Sequence, residues 1–488
     1  MSDLSRQILP LDATLREVLQ RLNEGVSGIV MIVKGDGTIS GIFTDGDARR
    51  AVLAATNLDL PATDFMNRSF TVVEDSVPRE ERLANLGEKI RHLPVVDDSG
   101  RPVEILSWAE LWKLPLVEPS LGGNELTYVS ECIRTNWISS QGAFVVRFEG
   151  MFAEYHGVSE AVSVSSGTTA LHLALVAMGV GSGDEVIVPN LTFGATANAV
   201  IHTGASPVFA DIDADDWTLS AGDVEARITP RTKAIIPVHL YGLPAHMGEL
   251  MALAEKHDLL VLEDCAESLG ARFKNQLTGT FGKASAFSFF ANKTITTGEG
   301  GMVLTDDPDL ARRMRLLRDH GMNKDRRYWH EEPGYNYRIT NMQSAVGCAQ
   351  MERLDDFLLH RQEIGEIYRN RLGGIKGVRL QEFGTERKSS FWLYSIVLDE
   401  SCELERDELM QELEKEGIES RPMFYPLDEQ PAYRKFLGDG GSTSCPVSHR
   451  LAARGLSLPT SNHMTLDEAG RVCRAMEDIF ARGSFPQH

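Results

Sequence analysis

Seven short apolar runs between about Val162 and Leu304 constrain this chain more than any other feature. They read AVSVS, EVIVP, PVFADI, KAIIPVHL, LLVLED, AFSFF and GMVLT, and they alternate with stretches of helical periodicity. Short, uniformly apolar runs are strands buried on both faces. Successive parallel strands need crossover connections, which helices supply. The alternation therefore predicts a mainly parallel sheet with helices on both faces, an α/β architecture that binds ligands beyond the carboxyl ends of its strands. A long helical pattern runs from Thr340 to Arg371, and the last hundred residues mix strand-like FWLYSIVL with helical RDELMQELEKEG, predicting a smaller α+β domain.

The N-terminal region reads differently. The pattern IVMIVKGDGTISGIFTDGD (Ile29 to Asp47) recurs as HLPVVDDSGRPVEILSWAE (His92 to Glu110) at a constant offset of 63. Val33 matches Val96, Gly37 matches Gly100, Thr44 matches Ser107 and Asp47 matches Glu110. Each copy reads as strand, glycine turn and strand, preceded by a helical stretch, and two such apolar faces pack together. The region resembles a CBS-domain pair. That resemblance implies that Thr44 and Asp47 hold the ribose of an adenine nucleotide. The competing reading is that Thr44 or Asp45 caps the helix DARRAVLAA. The segment LPLVEPSLGGNE (Leu114 to Glu125) reads as a linker. The expected domains are a CBS pair at 1–118, a large α/β domain at 119–372 and a small C-terminal domain at 373–488.

Against 49 basic residues the chain carries 70 acidic ones, a formal charge of −21, which would repel nucleic acid. Six scattered cysteines form neither a CxxC pair nor a zinc-ligand spacing, so no metal site is expected and the thiols read as free in a reducing compartment. The opening MSDLSRQILPLDATL has no apolar core of signal-peptide length. No apolar run approaches the ~18 residues of a membrane span. The expectation is a cytoplasmic protein.

Three stretches at strand ends carry chemistry. In VSVSSGTTALHLAL a strand ends at Ser165, and Ser166-Gly167-Thr168 opens a helix whose unpaired N–H groups make an anion seat. In LLVLEDCAESLGA, Asp264 ends an apolar strand, where it either caps a helix with Glu267 at capping-box spacing or faces a protonated heterocyclic nitrogen. In FSFFANKTITTGEGG, Lys293 follows an apolar run and precedes Gly298, Gly300 and Gly301. A lysine buried beside a ligand has a lowered pKa and serves as an amine nucleophile; otherwise it snorkels. Phosphate seat, buried aspartate and lysine together are what pyridoxal phosphate requires.

From about Pro119 onward the chain resembles the DegT/DnrJ/EryC1/StrS sugar aminotransferases, fold-type-I pyridoxal phosphate enzymes. The resemblance rests on WISSQGAFVVRFE, SSGTTALHLAL, GDEVIVPNLTF, VHLYGLP, EDCAESLGA, FSFFANKTITTGEGGMV and GYNYRITNMQSAVG, in family order. It implies that Lys293 bonds the cofactor aldehyde, Asp264 pairs with the ring nitrogen, and Phe193 stacks on the ring face. It further implies that Gly167, Thr168 and Ser288 hold the phosphate, that Glu267 contacts the cofactor, and that Asn336 reaches the phosphate in a neighbouring subunit. A homodimer with shared active sites follows.

Glu267 stands where many relatives carry glutamine or histidine, and Leu269 where 3-amino-sugar enzymes often carry histidine. The subgroup most resembled is GDP-perosamine-synthase-like. It moves an amino group from L-glutamate to C4 of a nucleotide-linked 4-keto-6-deoxy sugar for surface polysaccharide. A 4-aminotransferase for UDP-linked acetamido sugars and a regulatory sensor without turnover are the alternatives. A pyridoxamine-dependent dehydratase would have lost Lys293.

Overall fold

The computed structural model describes residues 4, 7–24, 28–54, 57–83, 85–86, 90–107, 114–323, 325–437 and 444–482. The chain divides into two compact units, Met1–Lys113 and Leu114–His488.

The first unit repeats one motif. Strand β1 (Ile8–Pro10), helix α1 (Leu15–Glu24), β2 (Ile29–Val33), β3 (Ile39–Thr44) and α2 (Asp45–Ala54) are followed by β4 (Val73–Glu74), α3 (Arg79–Leu83), β5 (His92–Val96) and β6 (Pro102–Ser107). β2 pairs antiparallel with β3, Ile29 opposite Thr44, and β5 pairs with β6, His92 opposite Ser107. Both register residues are thus displaced by the same 63 positions that the sequence shows. Each hairpin also carries its register shift at the equivalent place, Ile32/Val33 and Val95/Val96. Two β-stretches paired on one buried face admit no slip, because a one-residue shift would turn every core side chain outward. Glu110, the last matched position, lies outside the described residues.

In the second unit α4 (Glu125–Arg134) and α5 (Ala143–His156) precede β7 (Glu160–Val164), α6 (Gly167–Ala177), β8 (Glu185–Pro189), α7 (Ala195–His202) and β9 (Ser206–Ala210). Then come α8 (Ala221–Ala226), β10 (Thr232–Ile235), α9 (Met247–His257), β11 (Leu260–Asp264), the short β12 (Arg272–Phe273) and β13 (Gln276–Leu277), β14 (Ala284–Ser288) and β15 (Gly301–Thr305). Every apolar run named above contributes one strand, in the order β7-β15-β14-β11-β10-β8-β9. All are parallel except β15, which runs antiparallel to both neighbours. The carboxyl ends of β7, β8, β11 and β14 therefore lie along one edge.

The helical pattern 340–371 is two helices after α10 (Pro308–Arg318): α11 (Asn341–Met351) and α12 (Leu354–Leu372). The break falls where the Gln350 and Arg353 side chains both donate to the Ser120 carbonyl. Beyond it, β16 (Val378–Leu380), β17 (Arg387–Lys388), β18 (Tyr394–Leu398), α13 (Arg406–Lys415), β19 (Arg421–Pro422), α14 (Pro446–Arg454), β20 (Gly455–Leu458) and α15 (Leu466–Arg482) complete the chain. The sheet β16-β18-β20-β19 packs with α12, α13 and α15 around a core that includes Ile396, Leu456 and Val472. The segment read as a linker is docked rather than free at its start. Leu114 pairs with Ile418, Leu116 is buried, and the Leu116 N–H donates to Glu419. Apolar side chains flanking the prolines outweigh the loop composition there.

Gly301, where β15 begins, has no room for a side chain: a Cβ would lie 2.4 Å from the Ser166 carbonyl oxygen and 2.9 Å from the Gly167 nitrogen. Backbone cannot yield as a side-chain tip does. Gly301→Ala is expected to cost about 1–3 kcal/mol, read as a lower thermal-unfolding midpoint.

Candidate active site

The helix start after β7 forms as the sequence reads. Helix α6 starts at Gly167, and Ser166 caps it: its hydroxyl accepts from the Thr169 N–H at 3.2 Å, and Thr169 Oγ1 accepts from the Ser166 N–H at 3.0 Å. This leaves the Thr168 hydroxyl outside the capping pair. The first-turn N–H groups of a helix have no earlier carbonyl to bond. A Cβ on Gly167 would sit 2.7 Å from Ser288 Cβ and 3.1 Å from Ser288 Oγ, so the end of β14 abuts the helix start and a side chain at 167 would fill the cradle.

Asp264 ends β11 and is buried. Its Oδ2 accepts from Thr196 Oγ1 of α7 at 2.8 Å, and Oδ1 accepts from the Ala266 N–H at 3.1 Å. Burial raises its pKa, against the Thr196 and Ala266 hydrogen bonds and the Lys293 charge. No helix follows β11, so the capping-box reading of Asp264 and Glu267 fails. The Glu267 carboxylate turns instead to the Tyr241 N–H, which it accepts at 2.8 Å. Tyr241 holds a left-handed φ of 55°, a costly conformation for a residue with a Cβ.

Lys293 lies in the turn after β14, its Nζ 3.9 Å from Glu267 Oε1 and 3.6 Å from the centroid of the Trp392 ring. Only 14% of its side chain is exposed. Burial lowers its pKa, while Glu267 and then Asp264 oppose the shift. Burial pushes Glu267 the other way, up to about 7, against the Lys293 charge and the Tyr241 N–H. Burial thus biases each member of the pair toward its neutral form.

An aromatic wall extends from this amine. Trp392 stacks on Tyr241 at 6.4 Å and 15°, Tyr241 on Phe424 at 5.4 Å and 25°, and Phe424 meets Phe193 at 5.9 Å. Phe193 is 62% exposed, so it is not the plain core aromatic that its apolar neighbours would allow. Asn336 is exposed as well: its Oδ1 accepts from Arg338 Nη2 at 3.0 Å, and Arg338 is held by Asp319 at 2.7 Å. Thr196, Tyr241 and Trp392 were not foreseen. Each lies in an ordinary-looking element, GATANAV, VHLYGLP or FWLYSIVL, and local sequence carries no sign of what faces it.

Next to Asp264, His239, Glu263 and Cys265 bring potential ligand atoms within 4.8 Å of one another. The lone pairs of Glu263 and His239 are spoken for. Glu263 accepts from the N–H groups of Gly279, Phe281 and Gly282 and from His239 Nε2, while His239 Nδ1 accepts from the Ala245 N–H. The cluster anchors the end of β11 beneath Asp264. In the first unit, Thr44 and Asp47 come together as a helix cap: Thr44 Oγ1 donates to Asp47 Oδ2 at 2.7 Å, the Thr44 N–H to the same oxygen at 2.9 Å, and Arg50 donates to Asp47 Oδ1 at 2.6 Å.

The donor set fits pyridoxal phosphate, which needs N–H groups and hydroxyls for its phosphate, a carboxylate for its ring nitrogen and an amine for its aldehyde. Thr196→Val leaves Asp264 with the Ala266 N–H alone. A hydrogen bond to a charged group contributes about 1.5–3 kcal/mol, so cofactor affinity is expected to fall roughly tenfold or more, measured by absorbance titration.

Residues 5–54 match the CBS domain model, and residues 119–477 match the model of the DegT/DnrJ/EryC1/StrS aminotransferase family. The chain is 45% identical over 372 residues to GDP-perosamine synthase of Caulobacter vibrioides, covering 76% of this chain and 99% of that protein. It is 43% identical over 368 residues to GDP-perosamine synthase of Escherichia coli O157:H7, covering 75% and 99%. The crystal structure of S. venezuelae DesV superposes with a TM-score of 0.70 at 35% identity, covering 74% of this chain and 95% of that one. With this match across most of its length, the chain belongs to the DegT/DnrJ/EryC1/StrS family of pyridoxal-phosphate-dependent aminotransferases.

Proposed function

We propose that this chain transfers an amino group from L-glutamate to C4 of a GDP-linked 4-keto-6-deoxy sugar, providing an amino sugar for surface polysaccharide. The observation that carries the reading is the enclosed Lys293 amine between Glu267 and Trp392, on a chain 45% identical to a protein named GDP-perosamine synthase.

Pyridoxal phosphate supplies, when bound, an aldehyde that carries the amino group and a protonated ring that withdraws electrons from the reacting carbon. Gly167 and Thr168 offer N–H groups, and Ser288 a hydroxyl, to the phosphate. Asp264, kept from solvent and steadied by Thr196 and the Ala266 N–H, holds the ring nitrogen's proton. Lys293 Nζ, enclosed between Glu267 and Trp392, would hold the aldehyde. The freed amine is then the base that takes the proton from glutamate Cα. Burial lowers its pKa, which favours the unprotonated form relative to a solvent-exposed lysine. The same residues would serve both half-reactions, water releasing 2-oxoglutarate in the first and the sugar's C4 receiving the nitrogen in the second.

Phe193, exposed, would cover the ring face, and exposed Asn336 would reach the phosphate of a second subunit. The apolar side chains of Leu126, Ile133, Trp137, Ile138 and Val146 are also exposed, which supports a homodimer. For the CBS-matched segment we infer an adenine nucleotide as ligand, its ribose exchanging with the Thr44–Asp47 cap; titration calorimetry of the full chain with adenine nucleotides tests this, and absence of heat with all of them overturns it.

Lys293→Ala is expected to lose turnover altogether, and the yellow wild-type protein to bleach on adding glutamate. The decisive measurement is mass spectrometry of products from GDP-, UDP- and dTDP-linked 4-keto-6-deoxy sugars. Amination of only a UDP-linked acetamido sugar would overturn the GDP assignment, and undiminished turnover by Lys293→Ala would overturn the whole reading.

A further inference from the structure

Arg361 of α12 is one of the largest fully buried side chains in the molecule. A buried charge is costly unless paired, yet among the described residues no carboxylate offsets this one. Burial alone lowers its pKa, to about 9, still above neutrality, so the cation persists.

What it bonds instead is backbone and amide. Nη1 donates to the carbonyls of Phe391 at 3.0 Å and Trp392 at 2.9 Å, and Nε donates to Asn462 Oδ1 at 2.7 Å. Nη2 has no hydrogen-bond partner among the described residues. Both bonded branches lead to the same place. Trp392 Nε1 donates to the Asn292 carbonyl at 2.8 Å, and Asn462 Nδ2 donates to the Thr294 carbonyl at 3.0 Å. Asn292 and Thr294 are the two chain neighbours of Lys293. The amine therefore projects from a backbone tethered on either side, over the ring of the tryptophan that forms one tether.

The tryptophan branch begins at a strained residue. Phe391 has a left-handed φ of 50°, a conformation that costs about 1–3 kcal/mol in a bulky residue and persists only where the surroundings hold it. Arg361 grips the carbonyl at that turn. Gly365, one helical turn further along α12, makes room for the ring: a Cβ there would lie 2.6 Å from it.

We propose that Arg361 is a positioning residue for the transamination proposed above: it closes a hydrogen-bonded frame, through Trp392 and Asn462, that fixes the Lys293 amine in its enclosed place. The inference rests on Lys293 being the reacting amine. Titratable groups facing that amine are Glu267 and Asp264, and His239 lies behind Asp264.

The test is trace acetylation of the full-length, cofactor-free chain with acetic anhydride from pH 6 to 10. Labelling of Lys293 is read by peptide mass spectrometry against exposed Lys376. Without the frame, water reaches the amine and relieves the burial that lowers its pKa. In Arg361→Met the Lys293 midpoint is expected to rise by about 1 pH unit toward that of Lys376. In the loaded enzyme kcat should fall about tenfold or more with little change in KM for the sugar. Arg361→Met removes a buried anchor and can fail to fold. Asn462→Ala and Trp392→Phe cut one branch each while keeping Arg361, and each should give a smaller shift of the same sign. A folded Arg361→Met with an unchanged Lys293 midpoint and kcat overturns the inference. If Arg361→Met does not fold, unshifted midpoints in both branch variants overturn it. Those outcomes leave the aminotransferase reading standing, which only the Lys293→Ala result and the substrate panel can remove.

Discussion

The site depends on one amine being kept out of water without losing its charge partners. Lys293 Nζ lies 3.9 Å from a buried carboxylate and 3.6 Å from an indole centroid. Desolvation drives it toward the neutral form that attacks a carbonyl and takes a proton, while Glu267 and the face of Trp392 favour the cation. A surface lysine, fully hydrated, lacks that desolvation and holds its proton more firmly. The nearby Asp264 faces the same desolvation, and the Thr196 hydroxyl and Ala266 N–H offset it.

The fold produces this arrangement through crossing layers rather than through any single loop. Parallel strands bring the carboxyl ends of β7, β11 and β14 to one edge, so that Gly167, Asp264 and Ser288 share a site although they are far apart in sequence. The antiparallel β15 then returns beneath the lysine turn, pressed so tightly on Ser166 that only glycine fits at its start. From the other side the segment that leads into β18 contributes Trp392, and helix α12 secures it. The fully buried His239–Glu263 pair stiffens the end of β11 beneath Asp264.

In the N-terminal unit, Thr44 and Asp47 show why a short motif leaves two readings open. A hydroxyl and a carboxylate three residues apart at a helix start satisfy a capping box as readily as a ribose. The geometry is that of a cap, with Arg50 on the second carboxylate oxygen. Asp264 and Glu267 have the same spacing and the opposite outcome, because no helix follows and Tyr241 takes up the glutamate. Identical spacing thus has different physical meaning according to the backbone that follows it.

Apolar runs of strand length, separated by helical periodicity, by themselves determined the central sheet, since such segments have few other ways to bury both faces. Pairing in the N-terminal hairpins was legible too, because the 63-residue repeat fixes both registers. Strand-end positions of Gly167, Asp264, Ser288 and Lys293 were likewise visible, because chemistry at a strand end depends on residue type and local order. The sequence left undecided which way Glu267 turns, where the 340–371 helix breaks, and that Leu114 and Leu116 would dock. Nor did it mark Thr196, Tyr241, Trp392 and Arg361. Those depend on contacts between residues a hundred or more positions apart or across separate layers, and a side chain's partner in that case is set by how the layers pack, not by its neighbours in the chain.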